Sequence, residues 1–241
     1  GFEYYEEEEY TKAQGLFELI INNLRGKIEA EKVYFYYSYT HYHLRRYVMA
    51  SYYFGNFAST FPNSSFREEA DFMAAYSNYQ LSPSYRLDQT YSAKAIDQFQ
   101  LFVNTYPTSE RVAQCNDLID EMRRKLEKKA FAEGELYYNL REYQAATQSF
   151  ENLLKDFPES PDAEKVRFLI LKGNFLLAEN SILSKQGERY QNTIEYYDSF
   201  INKYPTSRYR KEADSMYKNS NNKLKELKDD RYQIQSARTR S

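Results

Sequence analysis

The chain has 241 residues, enough to bury a sizeable core in one or two domains. Its net charge of −2 and sequence pI near 5.9 argue against nucleic-acid binding, which leans on clustered Lys and Arg. Seven Gly and six Pro leave little room for strand turns, and no apolar run approaches the roughly 20 residues that span a bilayer.

Residues 2–24 read as a first helix pair: a short helix, a Glu-rich turn at 6–9, then a helix from Tyr10 with Ala13, Phe17 and Ile20 on one face. Residues 28–62 form a second pair. Its first helix carries Tyr34, Phe35, Tyr36, Tyr37 and Tyr39, more aromatic surface than one face can hold. A third pair, 65–107, is interrupted between Leu81 and Thr90, where Pro83 forbids a continuous helix. Asp88 or Thr90 is placed to cap the helix that follows. The fourth pair, 109–158, has no Pro and only Gly134 between Val112 and Leu140. One helix of about 28 residues, or about 42 Å, is expected there. Its basic stretch, with Arg123 and Lys128, reads as a solvated face. The fifth pair, 161–205, holds a polar insertion at 180–188. A helix at 208–228 caps the array, and a polar tail at 229–241, with Arg231, Arg238 and Arg240, is expected to fray.

One signature closes four of these pairs: Phe61-Pro62-Asn63-Ser64, Tyr106-Pro107-Thr108-Ser109, Phe157-Pro158-Glu159-Ser160 and Tyr204-Pro205-Thr206-Ser207. The prolines are 45, 51 and 47 residues apart, beyond the roughly 34 of an ordinary tetratricopeptide. Five residues before each Pro stand Phe57, Phe102, Leu153 and Phe200; eight before, Phe54, Phe99, Phe150 and Tyr197; twelve before, Ala50, Ala95, Ala146 and Thr193. These offsets share one helical face and predict core packing. Pro stops each helix, because the residue before it is pushed out of the α region. The Ser that follows can cap the next helix. In the first pair, Leu24-Arg25 stands where the aromatic-Pro is expected. Tyr5 and Tyr10, Tyr42 and Tyr47, and Tyr138 and Tyr143 share a second spacing, each followed by a small Ala. The reading is an all-α, right-handed tetratricopeptide-type solenoid: five helix-pair repeats and a C-terminal capping helix, one domain over 1–228.

The sequence carries no chemistry motif. His41 and His43 are two apart on a helix and face different ways, so they are no metal pair. Cys115 reads as a small buried hydrophobe. No Gly-rich phosphate loop or nucleophile elbow exists. Neither an enzyme nor a cofactor is expected. The 26 Tyr exceed the needs of one core, so some are expected on a binding surface.

The loop Ser84-Tyr85-Arg86-Leu87-Asp88-Gln89-Thr90, followed by Ala95, Phe99, Phe102 and the Tyr106 turn, resembles the BamD family. These are tetratricopeptide lipoproteins of the machine that assembles β-barrels into the bacterial outer membrane. The long helix ending in Tyr137-Tyr138, then Glu142, Tyr143 and Ala146, is similar to that family too, and the likeness covers essentially the whole chain. The distinctive loop residues are Arg86, Asp88, Gln89 and Thr90.

The resemblance implies five repeats and a periplasmic position, held by an N-terminal lipid anchor preceding Gly1. It implies docking to a BamA-like barrel-forming subunit and to other subunits through the later repeats. The early repeats would receive unfolded outer-membrane proteins. An extended peptide needs pockets at alternate positions, and Tyr34, Tyr37, Tyr42, Tyr76 and Tyr79 are candidates to supply them. Arg123, Lys128, Arg141 and Glu142 are candidates for the polar rim of the docking surface. The alternative is a periplasmic repeat protein that coordinates cell-wall and envelope synthesis; such a protein would trimerise through a coiled coil, and nothing heptad-like precedes Tyr4.

Overall fold

The computed structural model describes residues 1–24, 27 and 29–238, with backbone alone for Asn22 and for 230–238. Arg25 and Arg240 lie outside the described residues, as do the side chains of Arg231 and Arg238. Among the described residues there are eleven α-helices, one 3-10 turn and no strand. The protein is all-α, built of tetratricopeptide-like helix pairs, and its chain divides into two compact units, Gly1–Leu126 and Glu127–Ser241.

The first unit pairs α1 (Phe2–Glu6) with α2 (Tyr10–Ile21), α3 (Glu29–His43) with α4 (Tyr47–Thr60), and α5 (Arg67–Gln80) with α6 (Thr90–Thr105). Each helix packs on the next in sequence. The first part of α7 (Val112–Asn139) completes this unit. It adds Cys115, Ile119 and Met122 to a core built on Phe54, Phe57, Phe72, Phe99 and Phe102. Cys115 is wholly buried, and burial pushes its thiol up to about 11. A smaller cluster joins Ala13, Phe17, Val33 and Tyr37.

In the second unit the rest of α7 is followed by α8 (Tyr143–Asp156), α9 (Ala163–Glu179), α10 (Leu183–Lys203) and α11 (Arg210–Arg238). Two clusters fill it: Phe150, Leu153, Val166 and Ile170, and Phe168, Leu171, Phe175, Tyr190 and Phe200. The span 183–188 expected as insertion is the first turns of α10, and α11 runs to Arg238, beyond the expected 228. No helix among the described residues is long and apolar enough to cross a membrane.

The repeat face is buried almost as spaced. Ala50, Ala95, Ala146, Thr193, Phe54, Phe99, Phe150, Phe57, Phe102, Leu153 and Phe200 are all at most 2% exposed. Two positions differ. Ile20 is 40% exposed, because its helix runs into the 3-10 turn Asn22–Leu24, and Ile21 and Leu24 cover the first cluster instead. Tyr197 is half-buried; its hydroxyl donates to Asp214 at 2.7 Å and its ring stacks on Tyr217.

Each closing Ser braces the turn before the next helix, whose N-cap lies further on, at Phe66 in α5 and Asp162 in α9, without a side-chain cap bond. The N–H groups of Phe66, Arg111, Asp162 and Tyr209 donate to the hydroxyls of Ser64, Ser109, Ser160 and Ser207 at 3.0–3.2 Å. Three of these hydroxyls also donate backwards, Ser64 to Glu31, Ser109 to Glu68 and Ser207 to Glu164, at 2.5–2.6 Å. Each acceptor lies in the first helix of the pair just closed, so one Ser clasps a finished pair and braces the turn leading to the next helix.

The paired Tyr spacing has its own geometry. Three residues after Tyr5, Tyr42 and Tyr138 stand Glu8, Arg45 and Arg141, the only non-glycine residues with positive φ among the described residues, at 60°, 57° and 63°. Around Glu8, its N–H donates to Tyr5 O and the next N–H to Tyr4 O. The same two bonds recur at Arg45 with Tyr42 and His41, and at Arg141 with Tyr138 and Tyr137. This is a Schellman turn made three times without glycine.

Candidate peptide-binding face

In the first unit, helices of successive pairs meet through aromatic side chains. Tyr10 stacks on His43 with ring centroids 4.2 Å apart, and the Tyr5 hydroxyl is hydrogen-bonded to His43 Nε2 at 3.1 Å. His43 lies 5.8 Å from Tyr42, which lies 6.3 Å from Tyr76, which stacks on Tyr79 at 5.6 Å. The row crosses from α2 through α3 to α5, and Tyr42, Tyr76 and Tyr79 are all half-buried. The Tyr79 hydroxyl donates to Glu121 at 2.9 Å; burial, then that carboxylate, push the phenol up to about 12.

 Below the row, Tyr39 donates to Glu69 at 2.5 Å, and Arg111 pairs with Glu69 while covering the ring of Phe72 at 4.1 Å.

The other two tyrosines expected here lie elsewhere. Tyr37 is 5% exposed and belongs to the small core cluster, edge-on to Tyr53 and His41. Tyr34 is half-buried and faces α4, against Tyr53, Phe57 and Phe61. The aromatic run of α3 therefore spreads around the helix, and only its last turn reaches the row. His43, Tyr10 and Tyr5 join the row without having been singled out for it. The signal was their place near the Tyr5 and Tyr42 turns, which bring the ends of α1 and α3 together.

His41 is buried at 4% exposure, next to Tyr37 and Tyr53. The Gln14 amide donates to its Nε2 at 3.2 Å, and Arg46 donates to the Gln14 oxygen at 2.9 Å. Burial, then the nearby Arg46 charge, lower its imidazole to about 4, so it is neutral at ordinary pH.

The distinctive loop is held from inside. Gln89 is buried, and its amide donates to the carbonyls of Ser84 and Leu87 at 2.8 and 3.1 Å. Ser92 donates to Gln89 Oε1 at 2.7 Å. Asp88 accepts from the Thr90 N–H at 2.9 Å, an Asx-type turn just ahead of α6, whose N-cap is Gln89 and not Asp88 or Thr90. Arg86, Asp88 and Thr90 are exposed, and Leu87 stands 58% exposed between them. Gln89 thus shapes the loop, and the other three face outward.

The four rim candidates are divided between the two units. Arg123 is exposed on the part of α7 within the first unit, while Lys128, Arg141 and Glu142 are exposed in the second. Arg141 and Glu142 make the Schellman turn between α7 and α8. Beside them Leu136 and Leu140 are 56% and 61% exposed, one helical turn apart. Sequence reasoning missed these two, because an apolar residue on a long helix reads as core until its partner face is known.

Among the described residues no group of three or more His, Cys, Asp or Glu is arranged to hold a metal ion. What the fold and this face define is a helical-repeat protein with an open aromatic row. The chain belongs to the YfiO family of outer membrane lipoproteins, the BamD family, whose model matches residues 1–186 and 136–236. That membership supports a role related to outer-membrane assembly. No curated protein matches the chain.

Proposed function

We infer that the protein is a non-catalytic scaffold of the machinery that assembles β-barrels into the outer membrane, lipid-anchored on the periplasmic face. Its first unit receives the extended end of an unfolded barrel protein. The observation that carries this reading is the half-buried row of Tyr42, Tyr76 and Tyr79. Residues on one face of a strand recur every ~6.6 Å. The ring spacings of 6.3 and 5.6 Å are close to that repeat, so alternate side chains of an extended segment meet successive rings. Aromatic side chains in the peptide suit these rings best, because offset and edge-to-face ring pairs add to simple burial.

The second unit docks to the periplasmic part of a barrel-forming, BamA-like subunit. Leu136 and Leu140 supply an apolar centre, and Lys128, Arg141 and Glu142 a polar rim.

The test has two arms. Purified protein is titrated with a peptide of alternating aromatic and polar residues, and with the same composition scrambled. Preference for the alternating peptide, reduced at least tenfold in Tyr42→Ala/Tyr76→Ala, is expected; equal binding of both peptides sinks the receptor role. Separately, the lipid-anchored protein is purified from its own outer membrane. Recovery of a large β-barrel subunit is expected, whereas recovery of cell-wall synthases without a barrel protein favours envelope coordination.

A further inference from the structure

The second unit holds a cavity of about 290 Å³ lined from α8, α9 and α10. Leu154, Ile170 and Phe200 supply its apolar lining. Its polar wall is made by Arg167, Lys155, Glu151 and Tyr196. Glu151 is engaged, because the Tyr196 hydroxyl donates to its Oε1 at 2.6 Å. Arg167 is not. Its Nε is shielded from solvent and has no hydrogen-bond partner. Its guanidinium makes no ion pair among the described residues. A buried donor on a charged group is destabilising when it lacks an acceptor, and native structures seldom keep one without a reason.

Comparison between repeats sharpens the point. Nine residues after the turn prolines stand Asp71, Asn116, Arg167 and Asp214. Asp71 and Asp214 each pair with an Arg four residues earlier, Arg67 and Arg210, and each accepts a Tyr hydroxyl, from Tyr106 and Tyr197. In α9 the charge at this position is reversed, and the residue four earlier is Ala163. The repeat's internal partner has been removed and its sign inverted at the same place, beside an open cavity.

We propose that this cavity binds a carboxylate, presented by an acidic side chain of a partner polypeptide, with Arg167 as its counter-charge. The volume lies at the small end of ligand pockets, which run from roughly 300 to 1,000 Å³. It holds an acidic side chain and one apolar neighbour against Ile170 and Phe200. Lys155 is exposed at the wall and adds to the attraction. A doubly charged phosphate is a poorer occupant, because the Glu151 carboxylate shares the wall. The site depends neither on the aromatic row nor on the Leu136 surface.

The experiment uses the full chain with labelled arginine side chains and methyl groups. The probes are a capped pentapeptide with a central glutamate between leucines, its glutamine counterpart, and inorganic phosphate. The glutamate peptide is expected to shift the Arg167 Nε–H and Ile170 methyl resonances. Its affinity is expected to fall at least tenfold when glutamine replaces glutamate, and at least tenfold in Arg167→Gln. Equal binding of the two peptides, or undiminished shifts in Arg167→Gln, would overturn the proposal. Saturation by phosphate at lower concentration than by peptide would overturn it too. Should Arg167→Gln fail to fold, Tyr196→Phe replaces it. Freed from the phenol, Glu151 then competes for Arg167, and peptide affinity is expected to drop several-fold; unchanged affinity overturns the proposal.

Discussion

At the scale of single residues, three positions bear cost that their neighbours impose. His41 is neutral in the fold at about 4, against an ordinary value near 6.5. A lowered histidine contributes stability that is fully present above 6.5 and is lost as pH falls toward 4. Stability of the first unit should therefore drop by about 2–3 kcal/mol between pH 7 and pH 4 from this residue alone. Urea unfolding at several pH values checks it, and His41→Leu should flatten that part of the profile. Gly134 is the second position. A Cβ there would meet the Phe150 ring at 2.5 Å, because α7 and α8 touch at this point. Gly134→Ala should destabilise by about 1–3 kcal/mol, read from the thermal midpoint. Arg141 is the third, in the left-handed region at φ 63°. Arg141→Gly should stabilise by up to about 1 kcal/mol, since only glycine adopts that conformation freely. If Arg141 belongs to the docking rim, the same change weakens recovery of the barrel subunit, and the opposite signs separate the two roles.

At the scale of elements, the helices and their stops were legible because proline and the offsets of three and four residues are local signals. The 28-residue helix α7 runs Val112–Asn139, within a residue of the expected span. The aromatic row was only partly legible. Tyr42, Tyr76 and Tyr79 do assemble, but Tyr34 and Tyr37 turn toward α4 and the small core. Adjacent residues on a helix point about 100° apart, so a run of tyrosines cannot share a surface, and which one faces out depends on the neighbouring helix. A further repeat signal lay unread. Sixteen residues after three of the turn prolines stand Asn78, Asn174 and Asn221. Asn78 donates to Ser51 at 2.8 Å and Asn174 to Thr147 at 3.1 Å, equivalent positions on the preceding helix. Asn174→Leu should destabilise by about 1–3 kcal/mol, because Thr147 loses its buried donor and a bulkier side chain must fit the same gap. Chemical denaturation of the variant checks this.

At the scale of the whole molecule, each unit has its own clusters of buried side chains. Cys115 belongs to the first unit's core and Gly134 to the second. Thiol labelling in native buffer therefore reports opening of the first unit. Gly134→Ala is expected to leave the labelling rate of Cys115 unchanged while lowering the thermal midpoint of the second unit. Equal acceleration of labelling would mean that the two units open together. Family and class were readable from the sequence because repeats write the same instruction several times. A single loop, Ser84 to Thr90, then separated this family from other arrays, and the structure gives its physical reason in the inward-facing Gln89.

The clasping serines define where this chain can be cut. Ser64, Ser109 and Ser207 each complete a bond begun by Glu31, Glu68 and Glu164, so a module runs from glutamate to serine and not from proline to proline. A repeat transplanted with its border at the proline would leave its own carboxylate facing solvent and would deliver a foreign hydroxyl to the next helix. Borders placed just after the serine carry the whole clasp along, and grafts made that way should keep the melting behaviour of the parent pair.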